Sequence, residues 1–307
     1  MSYDVAILGA GAAGTAAAIL LRGRGLNPVL IESPGGRGRG LRRPDWLSAA
    51  ANNLLAECRI DCSDCLGKPF EGIAFHTADL KKTARADATK APAYRVDYSG
   101  VVGRMHTIAR KEKVEMVCGC APTRIDLGEK RVRLELEGHD PIEAGFLVLA
   151  DGAARTFATA GPGQPQPLAA PPSTRVSGRW VATLQWSGTA KGRQAGTAAD
   201  AHMHWVCDLN RQGAMMLWWW DGPAAVLNLL SSGTGQEVAS LLQSVAGRLM
   251  ETGLIPGGKR VDASSIVLRP APFRSALEME SHVDKRCLLI GDAGGFVSET
   301  SGEGLYP

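Results

Sequence analysis

The run Asp4-Val5-Ala6-Ile7-Leu8 is an apolar stretch of strand length that breaks at once into Gly9-Ala10-Gly11-Ala12-Ala13-Gly14, with glycines spaced G-x-G-x-x-G. Thr15-Ala16-Ala17-Ala18-Ile19-Leu20-Leu21 follows, built largely of strong helix formers, and a second apolar run from Pro28 to Ile31 ends on Glu32. Strand, glycine turn, helix, strand and terminal acid make one βαβ unit with the spacing a dinucleotide requires. Gly9 permits the tight turn, Gly11 lets backbone approach a pyrophosphate, and Gly14 lets the helix pack close to the strand. The helix N-terminus offers unsatisfied N–H groups and a partial positive charge to the phosphates. Glu32 stands eighteen residues beyond Gly14, where it can accept hydrogen bonds from a ribose diol. Ala10, Ala13 and Ser33 lie in or beside the same turns and join the expected contact set.

Composition narrows the rest. A chain of 307 residues is long enough for two compact units, and 45% apolar with 21% charged residues is ordinary for a soluble protein. A formal net charge of +3 is too small to argue for nucleic acid. The basic residues are scattered, apart from Arg37, Arg39, Arg42 and Arg43 just after Glu32. In that loop Arg42 and Arg43 either reach phosphates or a negatively charged ring, or belong to a solvated basic loop. No run approaches transmembrane length and the N-terminus is already structural, so the expectation is a cytoplasmic protein, with peripheral membrane contact left open. The seven cysteines read as reduced thiols rather than a disulfide framework. Cys58, Cys62 and Cys65 have metal-ligand spacing, but a fourth ligand is not evident, so no metal is expected.

Along the chain, Pro44-Asp45-Trp46-Leu47 is read as the start of a helix running to Cys58, with Asp45 or Ser48 as its cap. Asp97 is expected to cap a helix from Tyr98 to Lys111. Arg124 to Leu127 and Arg131 to Glu137 flank Gly128-Glu129-Lys130, a hairpin signal. Phe146 to Ala150 and Arg286 to Ile290 are short apolar strands that run into Asp151-Gly152 and Gly291-Asp292. Both resemble the first strand, so three strand ends are expected to converge on one site. Between them, Trp180–Trp186, His202–Cys207, Met215–Trp220 and Ala225–Leu229 read as an antiparallel sheet, followed by a helix from Glu237 to Thr252. The expected organisation is a nucleotide-binding domain in three parts (1–65, 96–175, 269–307) interrupted by a hairpin at 66–95 and a sheet-plus-helix domain at 176–268.

With these residues in view, the chain resembles the glutathione-reductase-type flavoproteins of the para-hydroxybenzoate hydroxylase fold, which include aromatic hydroxylases, flavin-dependent halogenases and geranylgeranyl reductases. The resemblance implies an α/β fold: a Rossmann FAD-binding domain with an inserted antiparallel-sheet substrate domain. It implies that Gly9 to Gly14 and Glu32 hold the FAD pyrophosphate and adenosine ribose. Asp151-Gly152 would lie near the pyrophosphate, and Asp292 of Gly291-Asp292-Ala293-Gly294-Gly295-Phe296 would bond the ribityl chain. The last motif, with Thr300-Ser301-Gly302-Glu303-Gly304-Leu305, is nearest the geranylgeranyl reductase form. A helix starting near Gly302 would aim its positive end at the flavin, with Glu303 and Gly304 beside it. The chain ends at Pro307, where that helix should begin, so it is either a fragment or a short member with an open site.

Trp218-Trp219-Trp220-Asp221-Gly222-Pro223 approximates the W-x-W-x-I-P of halogenases, with Gly222 in place of Ile. It is read as cavity lining plus sheet core, with Trp218 and Trp220 as cavity candidates. His202 and His204 alternate on one strand and so share a face that could approach substrate. The resemblance implies an FAD-dependent oxidoreductase fed by NAD(P)H or an electron-donor protein. It would pass hydride through flavin N5 to a small apolar substrate, with isoprenoids among the candidates. The alternative is a monooxygenase or halogenase using a C4a-(hydro)peroxide; a second is a flavin-binding protein without turnover.

Overall fold

The structure is a computed structural model that describes residues 3–34, 44–153, 157–158, 166–167, 178–187, 200–210, 213–258, 260–272, 275–298 and 303–304. The chain opens with β1 (Tyr3–Leu8), α1 (Ala12–Gly23) and β2 (Pro28–Glu32). It continues through β3 (Pro44–Ser48), α2 (Ala49–Glu57), β4 (Leu66–Pro69), β5 (Gly72–His76), β6 (Thr83–Asp87) and β7 (Ala93–Asp97). Next come α3 (Tyr98–Lys111), β8 (Glu115–Cys118), β9 (Pro122–Leu127), β10 (Val132–Leu136) and β11 (His139–Leu149). After the short pair β12 (Phe157–Ala158) and β13 (Gln166–Pro167) come β14 (Gly178–Trp186), β15 (His202–Val206), β16 (Met215–Asp221) and β17 (Ala224–Gly233). The described chain closes with α4 (Gly235–Glu251), β18 (Val267–Pro270), β19 (Val283–Asp284) and β20 (Cys287–Leu289).

β20, β11, β1, β2 and β8 lie side by side, all parallel. Strands covered on both faces must be apolar throughout, which explains the unbroken runs Ala6-Ile7-Leu8 and Val29-Leu30-Ile31, all fully or almost fully buried. From β1 the chain goes to β2 on one side, whereas β11 and β20 lie on the other. That reversal opens a crevice at the carboxyl ends, where ligands of such sheets bind. The β9–β10 hairpin extends this sheet from the first half of β11.

The helix expected from Pro44 begins later. Pro44–Ser48 is strand β3, paired antiparallel with β7, and Ser48 Oγ caps α2 by accepting from Ala51 N at 3.0 Å. Cross-strand pairing of Trp46 with Arg95 and Leu47 with Tyr94 overrides the local helix signals. α3 runs from Tyr98 to Lys111, with Asp97 Oδ1 accepting from Ser99 N at 3.1 Å.

The second large sheet has the order β18-β14-β17-β16-β15-β5-β6. All its pairings are antiparallel except β15 with β5, so the β5–β6 hairpin is attached through a parallel join. One face buries Trp180, Ala182, Leu184, Trp218, Leu227 and Leu229 against α4, which contributes Val238, Leu242, Val245 and Leu249. A capping box starts α4: Thr234 Oγ1 accepts from Glu237 N at 3.2 Å, and the Glu237 carboxylate accepts from Thr234 N at 2.7 Å. The other face carries Val181, Met215, Leu217, Trp219 and Leu230, packed with Phe70 and Trp46.

Candidate dinucleotide site and the cavity beside it

The glycines of the first turn divide by what surrounds them. Gly9 has φ +108, and a Cβ there would run into the Ala150 carbonyl at the end of β11. A Cβ on Gly14 would run into the Gly9 carbonyl. Both positions are closed by protein. Gly11 differs: a Cβ there would meet nothing within 4 Å. Gly152, at φ +79, faces open space in the same way. Gly11, Ala12, Ala13, Gly152, Gly291 and Asp292 line a cavity of about 180 Å³. Gly11 gives α1 no side-chain cap, and first-turn N–H groups have no intrahelical acceptor, so α1 offers donors here.

Ala10 is pinned from three directions. Its N–H donates to Glu32 Oε2 at 2.7 Å, and its carbonyl accepts from Thr15 Oγ1 at 3.2 Å and from His106 Nε2 at 2.7 Å. A carbonyl only accepts, so this bond puts a proton on His106 Nε2. Glu32 thus holds the turn with one carboxylate oxygen. Sequence reasoning missed Thr15 and His106. Thr15 is a wholly buried polar residue at a helix start, a weak signal. His106 comes from α3, ninety-six residues away, and spacing carries no signal of it.

The third strand end closes over the first turn. Gly291 has φ +58, and a Cβ there would lie 2.7 Å from the Ala13 side chain. A Cβ on Gly304 would sit 3.0 Å from Asp292 Oδ1. Glu303 Oε1 accepts from Ser48 N at 3.3 Å, and its carbonyl accepts from Ser298 N at 2.7 Å. Its carboxylate therefore serves the start of α2. Asp151 lies two residues beyond β11, beside Gly152, and Ser33 directly follows β2. Arg42, Arg43, Gly302 and the helix expected there lie outside the described residues.

A second cavity of about 170 Å³ shares Asp45, Trp46 and Asp292 with the first. Its far wall is the inner face of the seven-stranded sheet, including Arg179, Met215, Leu217, Asn228 and Arg269. The two tryptophan candidates do not stand there. Trp218 is fully buried on the opposite face, in the core under α4, and Trp220 packs partly buried against that same core and lines a separate cavity of about 490 Å³ with Asp45, Arg95 and Trp219. Alternation along β16 turns Trp219 inward instead, edge-on to Phe70 at 6.3 Å between ring centres.

His204 is also buried under α4, stacked on Trp218. His204 Nδ1 lies 2.9 Å from His76 Nε2, and His76 Nδ1 lies 2.9 Å from Thr83 Oγ1. Burial, with His204 and Arg85 adding to it, brings the His76 pKa down to about 4. His202 sits between Asp200 Oδ1 at 3.1 Å and Asp87 Oδ1 at 2.8 Å. Asp200 is held well below the usual carboxylate range by bonds from His204 and His202 and by Arg85, against a burial effect that opposes them. Both histidines are thus engaged in a polar network at the β15–β5–β6 edge, away from the cavity. Cys58, Cys62 and Cys65 carry free thiols, and burial pushes Cys65 up to about 11. Among the described residues no helix is long and apolar enough to cross a membrane.

A parallel sheet with a glycine cradle at its switch point, facing a second sheet across a shared cavity, defines a dinucleotide-binding α/β protein of the flavoprotein type. The sequence pattern of the pyridine nucleotide-disulphide oxidoreductases matches residues 3–175, and the chain belongs to that family. Among solved structures, a geranylgeranyl bacteriochlorophyll reductase-like protein from Thermoplasma acidophilum superposes with a TM-score of 0.73 at 16% identity, covering 99% of this chain and 74% of that one. A flavoprotein/dehydrogenase from Cytophaga hutchinsonii gives 0.70 at 14% identity, over 99% and 74%. The halogenase PltM gives 0.68 at 14%, over 99% and 66%, and one of its variants has been solved in complex with FAD. At these identities the likeness establishes the fold. No curated protein matches the chain in sequence.

Proposed function

We propose that this protein is an FAD-dependent oxidoreductase that acts on a small substrate held between its two large sheets. The observation that carries the reading is the open cradle at Gly11 and Gly152, which shares Asp292 with the cavity under the second sheet. The residues fit the cofactor by the chemistry they offer. N–H groups of Gly11, Ala12 and Ala13 would meet the pyrophosphate, the second Glu32 oxygen the adenosine ribose, and Asp292 the ribityl hydroxyls. When bound, FAD supplies two-electron redox chemistry, and the protein supplies orientation and exclusion of water. The chain contributes the mostly apolar sheet face to seat the substrate and Trp46 to wall the cavity between cofactor and solvent.

The reductase reading is preferred to halogenation because Trp218 of the W-x-W-like stretch is spent in the core under α4, and the sheet's inner face carries Met215, Leu217 and Trp219 instead. NAD(P)H or an electron-donor protein would reduce the flavin, and contact with a membrane would follow if the substrate is a lipid. The test is to load the purified chain with FAD, reduce it anaerobically with NADH, NADPH or dithionite, and then mix it with oxygen. Direct return to the oxidised spectrum supports a reductase or dehydrogenase. A transient third spectrum would transfer the protein to the oxygen-activating enzymes, and failure to retain FAD would sink the whole reading.

A further inference from the structure

The inner face of the second sheet is not purely apolar. Thr183 and Asn228 face each other across β14 and β17, and only 8% and 9% of their surfaces are exposed. Arg269, one strand further out on β18, donates from Nη2 to Thr183 Oγ1 at 3.2 Å. A guanidinium can only donate, so the Thr183 hydroxyl accepts there and gives its own proton onward. It donates to Asn228 Oδ1 at 2.6 Å. That direction fixes the amide: Oδ1 is used by Thr183, and the Asn228 NH₂ group has no acceptor among the described residues. Asn228 lines the 170 Å³ cavity. Arg179 lines it too, half-buried and with no carboxylate or other acceptor on its guanidinium among the described residues. Asp45 and Asp292 stand on the opposite wall, each already engaged by other groups.

This sheet face therefore presents donors without acceptors among the described residues, set beside Arg269 in a patch that includes Val181, Met215, Leu217 and Leu230. Leaving such donors against an apolar ligand would cost the desolvation of an amide and of a cation. We propose that the cavity takes a carboxylate-bearing substrate whose apolar body lies on Met215, Leu217 and Leu230 and whose carboxylate is held by Arg179 and the Asn228 NH₂. Arg269 is a positioning residue, acting through Thr183 to orient that amide. The proposal rests on the flavin reading for the word substrate. It replaces a wholly apolar substrate with an amphipathic one.

The experiment is calorimetric titration of the full chain, with and without FAD, using two matched pairs: benzoate with benzyl alcohol and octanoate with 1-octanol. In at least one pair the carboxylate should bind about tenfold or more tightly than its alcohol, the effect of a charge-assisted bond to a half-buried arginine. Arg179→Gln should bring that preference to about twofold, and its melting profile should match the parent because the side chain holds no other part of the described protein. Arg269→Gln should weaken carboxylate binding less than Arg179→Gln does. Equal binding within both pairs, or a preference that survives Arg179→Gln, would overturn the proposal. So would an Arg179→Gln variant whose flavin potential shifts while ligand selectivity stays, since the wall would then serve the ring. FAD loss with carboxylate selectivity intact would sink the flavin reading and leave the site standing.

Discussion

At the residue scale, a methyl group has opposite consequences at two neighbouring glycines. At Gly11 a Cβ meets nothing within 4 Å, so with Gly11→Val the fold should survive with a melting temperature near the parent's. The added side chain fills the cradle, and the variant should lose FAD on gel filtration. Gly14→Ala drives a Cβ into the Gly9 carbonyl, and a backbone that cannot yield should cost about 3 kcal/mol or more in urea unfolding. A Gly11→Val protein that kept its flavin would remove the loop from the site. This division was legible beforehand: G-x-G-x-x-G gives the tight turn to Gly9 and close helix packing to Gly14, and the structure closes those two and leaves Gly11 open. His106 was not legible, because its contact with the Ala10 carbonyl depends on how α3 docks beside α1. Nor was the parity of β16. Three consecutive tryptophans alternate whichever way the strand faces, and the partners Phe70 and α4 decide that Trp219 packs on the inner face against Phe70 while Trp218 goes under the helix.

At the element scale, the β5–β6 hairpin joins its sheet only through β15, and His76 to His204 is the buried polar contact across that join. Groups from every neighbouring strand face it: Thr83 and Arg85 from β6, and His204 with nearby Asp200 from β15 and the segment leading into it. Folding lowers the His76 pKa from an ordinary value near 6.5 to about 4, so the unfolded chain takes up a proton that the folded one refuses. The stability this neutral imidazole confers is complete above pH 6.5, falls as pH drops from 6.5 towards 4, and falls no further below that. The loss should be on the order of 2–3 kcal/mol, read from urea unfolding at pH 7, 5.5 and 4.5. His76→Gln should flatten the slope over that range, and an equal slope in the variant would place the titrating group elsewhere. The cap Asp97 made the start of α3 readable in advance, and apolar spacing made α4 readable, though its Thr234–Glu237 box and its start at Gly235 emerge only in the structure. Pro44–Ser48 was not, because its strand state comes from pairing with β7, some fifty residues on, which overrides the local helix signals.

At the scale of the whole molecule, the two cavities share Asp45, Trp46 and Asp292 as a common wall between the switch point of the parallel sheet and the inner face of the other. A bound FAD along both would touch three strand ends distant in sequence, Gly9 to Gly14, Ala150 to Gly152 and Gly291 to Gly294, and then Val181, Met215 and Leu217. Ligand that binds only the folded chain stabilises it by mass action, about 2.7 kcal/mol at a concentration a hundredfold above Kd. That gain should be spread over both cavities, so hydrogen exchange should slow at all three loops together and at the amides of β14 and β16 beneath the second cavity. Gly11→Val should abolish the protection at every one of these places at once, because the pyrophosphate cradle is the step that admits the rest. Protection confined to Gly9 to Gly14 would mean that a nucleotide binds without reaching the second sheet. The protein would then be a nucleotide binder whose two sheets share a wall and no chemistry.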